Sequence, residues 1–186
     1  MRKLAVALAL LAAGPAAATG LEIAVAGEGA NGTITVELFD DVAPQHVERI
    51  TTLANEGAYD GVYFHRVIDG FMAQTGDVEF AKEGMDMRNA GRGGSSYPDL
   101  PAEFSDRNFD RGVIGMARSQ NPNSANSQFF IMLADGDFLD GQYTIVGDVV
   151  EGMDVVDEIK KGDPAQNGSV ENPDKMVKVT VGGAAN

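Results

Sequence analysis

The sequence contains no cysteine, which excludes disulfides, thiolate metal sites and thiol nucleophiles. It contains only two histidines, His46 and His65, so a metal centre built from imidazoles is not expected. We expect His46 to be partly exposed on a helix, and His65 to be buried and hydrogen-bonded.

Cations are also scarce. The chain has 14 Lys and Arg against 28 Asp and Glu, for a formal net charge of -14. Nucleic acids and anionic lipid surfaces both require a surplus of cations in their protein partners. We therefore expect neither of them as a ligand.

The sequence does contain enough apolar material for one folded domain. Its 186 residues are 44% hydrophobic, and this length fits one ordinary domain. The 23 glycines, well above the usual share, indicate many turns rather than long helices.

The N-terminal segment has the layout of an export signal. Arg2 and Lys3 form a short positive region, and an apolar run of ten residues follows. That run is about half of what a bilayer span requires, and the small residues at 16–18 satisfy the rule for signal peptidase. We predict a signal peptide over residues 1–18 and a single mature domain over residues 19–186. The mature chain would carry 12 cations against 28 acids, a net charge of -16.

Short strands dominate the predicted secondary structure. Apolar and polar residues alternate along 33–39, which indicates a strand with one buried face. The dipeptides Asn31-Gly32 and Asn167-Gly168 are typical of turns, the first of a hairpin turn. Short apolar runs between Gly, Asp and Asn predict further strands. These runs occupy residues 21–26, 62–68, 71–75, 112–117, 129–133, 143–149 and 176–181.

Two helices are predicted among the strands. For the first, Asp40 or Asp41 can act as the N-cap, while Pro44 suits the first turn. Gly57 is a suitable C-cap. The second helix is predicted over residues 152–160, where apolar residues recur at helical spacing. Many short strands with two separated helices favour a closed antiparallel β architecture, because closure leaves no exposed sheet edge.

Conventional ligand motifs are weak in this sequence. The glycine-rich stretch at 91–94 lacks the helix that must follow a phosphate-binding loop. Asp135, Asp137 and Asp140 suggest a calcium loop, but Val146 stands at its twelfth position, where glutamate is needed. An acidic Ca²⁺ or carbohydrate binder is thus one alternative interpretation, which calorimetry with Ca²⁺ would test.

Three clusters carry the strongest functional signal, at residues 64–77, 115–131 and 138–143. The first places Arg66 in the middle of an aromatic, apolar hairpin, where a charge is costly unless it is satisfied. The clusters contain, in order, Phe-His-Arg-Val-Ile-Asp-Gly-Phe-Met-Ala-Gln, Ser-Gln-Phe-Phe-Ile and Phe-Leu-Asp-Gly-Gln-Tyr. These strings closely resemble the cyclophilin family of peptidyl-prolyl cis/trans isomerases.

The resemblance covers roughly residues 32–181 and implies both a fold and a function. The implied fold is mainly β, a closed eight-stranded antiparallel barrel with two capping α-helices and a substrate groove on its outer wall. The implied function is isomerisation of X-Pro bonds in unfolded or folding polypeptides, by a monomer without metal or cofactor. Combined with the signal peptide, it implies a bacterial periplasmic protein that assists the folding of exported chains.

Site residues are carried over from the family by position. The implied catalytic residues are Arg66, Gln74, Phe71 and Tyr143, with Arg66 as the catalytic arginine of the family. Substrate binding is implied for a second group, most of which would form the proline pocket or hold the substrate backbone. This group comprises Met72, Ala117, Arg118, Gln128, Phe130, Phe138 and Leu139.

Two positions depart from the best-known eukaryotic members. Phe138 stands where those carry Trp, which argues against strong cyclosporin binding. Tyr143 stands where they carry His, which argues against obligatory acid/base chemistry there. An alternative from another class is a proline-peptide-binding or holdase module with weak turnover. Such a module would keep the pocket but would not need Arg66.

Strand parity predicts the local geometry. Gln128 and Phe130 should face the groove, while their neighbours in sequence fill the barrel. Arg66 can share a face with Gln74 only if the connecting loop has an odd number of residues. We therefore predict a three-residue connection with Gly70 left-handed and a β-bulge.

Overall fold

The computed structural model describes residues 19–183, so the predicted signal peptide lies outside the described residues. The described chain forms one antiparallel sheet with two α-helices. The strands are β1 (Thr19–Ala26), β2 (Asn31–Leu38), β3 (Val62–Tyr63), β4 (Arg66–Ile68), β5 (Met72–Thr75), β6 (Val113–Met116), β7 (Phe129–Met132), β8 (Ile145–Glu151) and β9 (Lys175–Gly183). The helices are α1 (Pro44–Asn55) and α2 (Met153–Glu158). None of the helices in this part of the chain is long and apolar enough to cross a membrane.

The sheet has nine strands, so the implied count of eight is wrong. Its strand order is β3-β9-β1-β2-β8-β6-β7-β5-β4, with β3 and β4 at the two ends instead of a hydrogen-bonded closure. The count differs because Phe64 and His65 interrupt one extended segment, whose halves pair with β9 and β5 respectively. The sheet must curl, because only these two residues join its two edge strands.

The two faces of the sheet bury different clusters. The inner face packs with α1 and α2 around the main core, which includes Phe129 and Ile131. The outer face of β5, β6 and β7 carries a smaller cluster that includes Met72 and Phe130. The predicted alternation along β7 is therefore confirmed. The outer cluster forms the foundation on which the site described below is built.

The hairpin between β4 and β5 places the charged residue of the first cluster. Arg66 pairs directly with Gln74, so residues 69–71 form a three-residue connection, as predicted. Gly70 has a φ of 68°, which confirms the predicted left-handed glycine. The β4–β5 pairing shows no register shift, so the predicted bulge does not lie within the paired residues. Direct pairing puts the two side chains on the same face of the sheet.

α1 begins at its predicted proline, but neither Asp40 nor Asp41 caps it. Instead, the carboxylate of Glu103 accepts the backbone N–H groups of Gln45 at 3.3 Å and His46 at 3.2 Å. A carboxylate is favourable there because the first N–H groups of a helix have no partners within the helix. His46 is fully buried, not partly exposed as predicted, and its Nδ1 lies 2.6 Å from Glu103.

The β1–β2 turn occupies residues 27–30, so the predicted turn at Asn31-Gly32 is wrong. Those two residues are the first of β2. The turn is fixed from a distance, because the buried carboxylate of Asp174 accepts the N–H groups of Gly29 at 2.9 Å and Ala30 at 3.1 Å.

Candidate active site

One cavity of about 440 Å³ on the outer face collects most of the predicted site. It lies between the β4–β5 hairpin, the end of β6, β7 and the loop at 138–143. Ten of the eleven predicted site residues line it. These are Arg66, Phe71, Met72, Gln74, Ala117, Arg118, Phe130, Phe138, Leu139 and Tyr143. Gln142 also lines the cavity and was not predicted.

Aromatic rings form the apolar part of this cavity. The ring of Phe130 stacks on Phe109 with centroids 5.8 Å apart and meets Tyr143 edge-on at 5.9 Å. Phe71 and Phe138 pack at 5.5 Å on the rim, where Phe138 is 64% exposed. A buried aromatic floor with an exposed aromatic rim suits an apolar ring that enters from solvent.

Arg66 is held at this cavity by uncharged acceptors. Its Nη1 donates to Gln74 Oε1 at 3.2 Å and lies 3.8 Å from Met72 Sδ. Its Nε donates to the Asn167 carbonyl, and its Nη2 donates to Asn167 Oδ1, both at 3.0 Å. No carboxylate in residues 19–183 forms an ion pair with it. Partial burial lowers the pKa of Arg66, opposed by nearby Tyr143, but a guanidinium remains protonated in proteins.

Gln128 lies outside this cavity and is connected to it through a hydrogen bond with Gln74. Gln74 Nε2 donates to Gln128 Oε1 at 2.9 Å, and Gln128 Nε2 donates to the Gly93 carbonyl at 2.8 Å. Gln128 lines a neighbouring cavity of about 450 Å³ that shares Gln74, Ala117 and Arg118 with the first. Its contacts therefore orient Gln74, which in turn contacts the guanidinium.

Arg118 is anchored rather than free. Its Nη1 donates to the Ser119 carbonyl at 2.9 Å, and its Nη2 donates to the Gln142 carbonyl at 2.7 Å. Its guanidinium carbon lies 4.2 Å from the centroid of the Tyr143 ring. Arg118 therefore packs against the Tyr143 ring, which in turn contacts Phe130. The buried Nε of Arg118 has no hydrogen-bond partner among the described residues.

Comparison with known proteins decides the family. The model for "Cyclophilin type peptidyl-prolyl cis-trans isomerase/CLD" matches residues 21–181, nearly all of the described chain. The chain belongs to the cyclophilin family. It is therefore an enzyme of the peptidyl-prolyl cis-trans isomerase class.

Curated relatives and solved structures agree with this family. A Brucella suis protein named "Probable peptidyl-prolyl cis-trans isomerase" is 64% identical over 81% of this chain and 78% of that protein. Peptidyl-prolyl cis-trans isomerase B of Escherichia coli is 39% identical over 70% of this chain and 79% of that protein. A Cryptosporidium parvum cyclophilin-type isomerase, crystallised in the presence of the dipeptide Ala-Pro, matches with a TM-score of 0.73 at 25% identity. That match covers 88% of this chain and 98% of the other.

Besides Gln142, sequence reasoning missed a second residue of this cyclophilin site. Asn167 contributes two acceptors to Arg66, yet the sequence predicted only a turn there. Asn-Gly signals backbone shape, and nothing in that dipeptide indicates which strand the turn will contact. The two residues are 101 positions apart in the chain.

The described residues around this cavity include no cluster of metal-ligating side chains. Within residues 19–183, no group of three or more His, Asp or Glu side chains could hold a metal ion. His65 precedes Arg66 but points into the protein, where it is 5% exposed. Its ring lies beside the backbone of Tyr63, which acts to raise its pKa, but neither nitrogen has a hydrogen-bond partner of standard geometry among the described residues.

The buried histidines predict a pH dependence of stability. Burial lowers the pKa of His65 and of His46 below the usual 6.5, although nearby Asp77 and Glu103 act in the opposite direction. The unfolded chain therefore takes up protons more readily than the folded one. We expect the free energy of unfolding to keep its full value above pH 6.5 and to fall as the pH drops below 6.5. The fall should be up to about 1.4 kcal/mol per pH unit for each histidine.

Urea unfolding between pH 7.5 and 5.5 measures this slope. His65→Leu removes one titrating ring, so the fall of its unfolding free energy with pH should be shallower than that of the wild type. Equal slopes for the two proteins would show that His65 does not contribute.

Proposed function

We propose that this cyclophilin isomerises X-Pro bonds in exported, unfolded or folding polypeptides and so assists their folding. We further propose that Arg66 lowers the rotational barrier. The observation that carries the proposal is a partly buried guanidinium, held only by neutral acceptors beside an aromatic cavity.

The reaction itself requires a particular kind of stabilisation. Rotation about the prolyl amide breaks its resonance, with a barrier of about 18–20 kcal/mol, and the uncatalysed step takes about 10–100 s. No covalent bond changes. In the twisted transition state, the proline nitrogen regains a lone pair and becomes a hydrogen-bond acceptor. A donor placed there binds the transition state better than the planar ground state, which is the condition for catalysis.

Arg66 has donors to spare for this purpose. A guanidinium carries five N–H groups, and three of them go to Gln74 and Asn167. A fourth faces only the Met72 thioether, a weak acceptor. The fifth, on Nη2, has no acceptor among the described residues. Two N–H groups are thus available to donate to a bound proline amide. An acceleration of 10⁵ would need about 7 kcal/mol of transition-state stabilisation from the whole site.

The aromatic cavity has a separate task in this proposal. Phe130 and its neighbours grip the pyrrolidine ring, while Gln74, Ala117 and Arg118 lie where the flanking chain would be held. With both sides gripped, one end of the bond can rotate against the other. The Ala-Pro dipeptide used with the Cryptosporidium parvum relative supports a proline-containing peptide as the ligand.

The test is a rate measurement on a short Ala-Pro peptide. Exchange spectroscopy gives the cis/trans interconversion rate with the wild type and with Arg66→Ala. If both proteins accelerate the exchange equally, Arg66 has no part in the mechanism.

We also propose export, with removal of residues 1–18 and action in the periplasm. Support comes from the sequence pattern: a short positive region, an apolar run of ten residues and small residues at 16–18. In bacteria expressing the full chain, we expect periplasmic protein whose intact mass corresponds to Thr19 as its first residue. Replacing Ala16 and Ala18 with bulky residues should leave the precursor uncleaved. Cytoplasmic protein that retains Met1 would contradict the proposal.

A further inference from the structure

The turn that contains Asn167 lies against β4 and supplies both oxygens on one side of Arg66. The Asn167 carbonyl accepts from Nε, and its Oδ1 accepts from Nη2, both at 3.0 Å. These donors lie on the same edge of a planar group. Two acceptors on that edge fix both the position and the plane of the guanidinium, whereas one bond would still allow it to rotate.

The backbone of the turn is shaped for this contact. Asn167 has φ 55° and ψ 34°, in the left-handed region, which asparagine tolerates better than most residues with a Cβ. At Gly168 a Cβ would lie 2.5 Å from Ile68 Cγ1, so the turn packs directly on β4. The Val67 N–H donates to the Gly168 carbonyl at 2.8 Å. The turn is thereby fastened to the strand that carries Arg66.

The two acceptors are also uncharged. A carboxylate at this point would hold the guanidinium at least as firmly, but its charge would offset the cation that the transition state uses. An amide and a backbone carbonyl orient the group while leaving its charge uncancelled. We propose that Asn167 is a positioning residue, which acts through Arg66 without needing to touch the substrate. This inference rests on the proposed role of Arg66.

Asn167→Gly tests the side-chain acceptor alone, because glycine keeps the left-handed backbone and its carbonyl. We expect kcat for an Ala-Pro peptide to fall about tenfold with KM within about twofold, since the pocket still binds but the donor is misaligned. Asn167→Asp retains an acceptor and should lose less. The Nε–H NMR signal of Arg66 should broaden in the glycine variant and persist in the aspartate variant.

Asn172→Gly is the matched control. Asn172 is the other non-glycine residue with positive φ in residues 19–183, at 50°, and it lines a different cleft. This control should keep the wild-type kcat, and a tenfold loss in it would mean that glycine alone disturbs the enzyme, which would overturn the inference.

A double-mutant comparison separates positioning from mere stability. In an Arg66→Ala background, Asn167→Gly should cause no further loss of kcat, because the group it positions is gone. A further tenfold loss there, or wild-type kcat in Asn167→Gly alone, overturns the positioning role. Full activity in Arg66→Ala alone would instead contradict the proposed function, so the two failures are distinguishable.

Discussion

Arg66→Ala should lower kcat/KM for a short Ala-Pro peptide by about 100- to 1000-fold. Removal of one donor that acts mainly in the transition state typically costs this much. The affinity for the peptide should change far less, because the aromatic cavity around Phe130 remains. Exchange spectroscopy for the rate and calorimetry for binding measure the two effects on the same protein.

A conservative variant and a matched control sharpen this experiment. Arg66→Lys keeps the charge but loses the planar fork that Gln74 and Asn167 orient, so most of the loss should remain. Arg88→Ala removes an arginine that is exposed and paired only with Asp86, and it should leave the rate unchanged. A similar loss in Arg88→Ala would point to a general effect of net charge.

The same variant decides between an isomerase and a proline-peptide holdase. A holdase needs the pocket and not the guanidinium, so its effect on client folding would survive Arg66→Ala. An isomerase would lose its effect on slow, proline-limited refolding while still binding the client. Refolding assays with unfolded clients, run beside the peptide assay, distinguish these results.

Local signals in the sequence predicted the parts of the fold that depend on neighbours in the chain. The odd loop at 69–71 and the left-handed Gly70 follow from which side chains must share a face. Non-local contacts set what was predicted wrongly. The cap of α1 comes from Glu103, 57 positions beyond His46, and Asp174 shapes a turn more than 140 residues before it. Alternation and propensity carry no information on such pairs.

For the site, too, the sequence predicted local features correctly and missed the contacts between distant segments. Ten predicted residues meet at one cavity because they come from three compact clusters on neighbouring strands and one loop. Gln128 was placed on the correct face by parity, but its bonds to Gln74 and Gly93 show a supporting position that parity could not predict. Asn167 was missed because its contact with Arg66 depends on how a distant turn docks.

Asp77→Ala should destabilise the protein by about 3 kcal/mol, since four backbone N–H groups would lose a charged acceptor. Asp77 is fully buried. One oxygen accepts from Glu79 at 3.1 Å and Phe80 at 2.8 Å. The other accepts from Gly91 at 2.7 Å and Gly93 at 3.1 Å. This single carboxylate therefore holds the loop that contains Gly93. The Gly93 carbonyl accepts from Gln128, which contacts Gln74 and, through it, Arg66. The folded fraction of the Asp77→Ala protein should therefore also catalyse the exchange more slowly.

Urea unfolding and the Ala-Pro exchange rate, measured on the same samples, test both parts. Asp77→Asn should fall between alanine and wild type, because its oxygen still serves two donors while its NH₂ group faces the N–H groups of Gly91 and Gly93. Asp86→Asn is the matched control, since Asp86 also accepts a backbone N–H but is exposed, and it should stay within about 0.5 kcal/mol. Stability within about 1 kcal/mol of wild type in Asp77→Ala would show that the loop is held by other contacts, because the loss of several charge-assisted hydrogen bonds costs more than that.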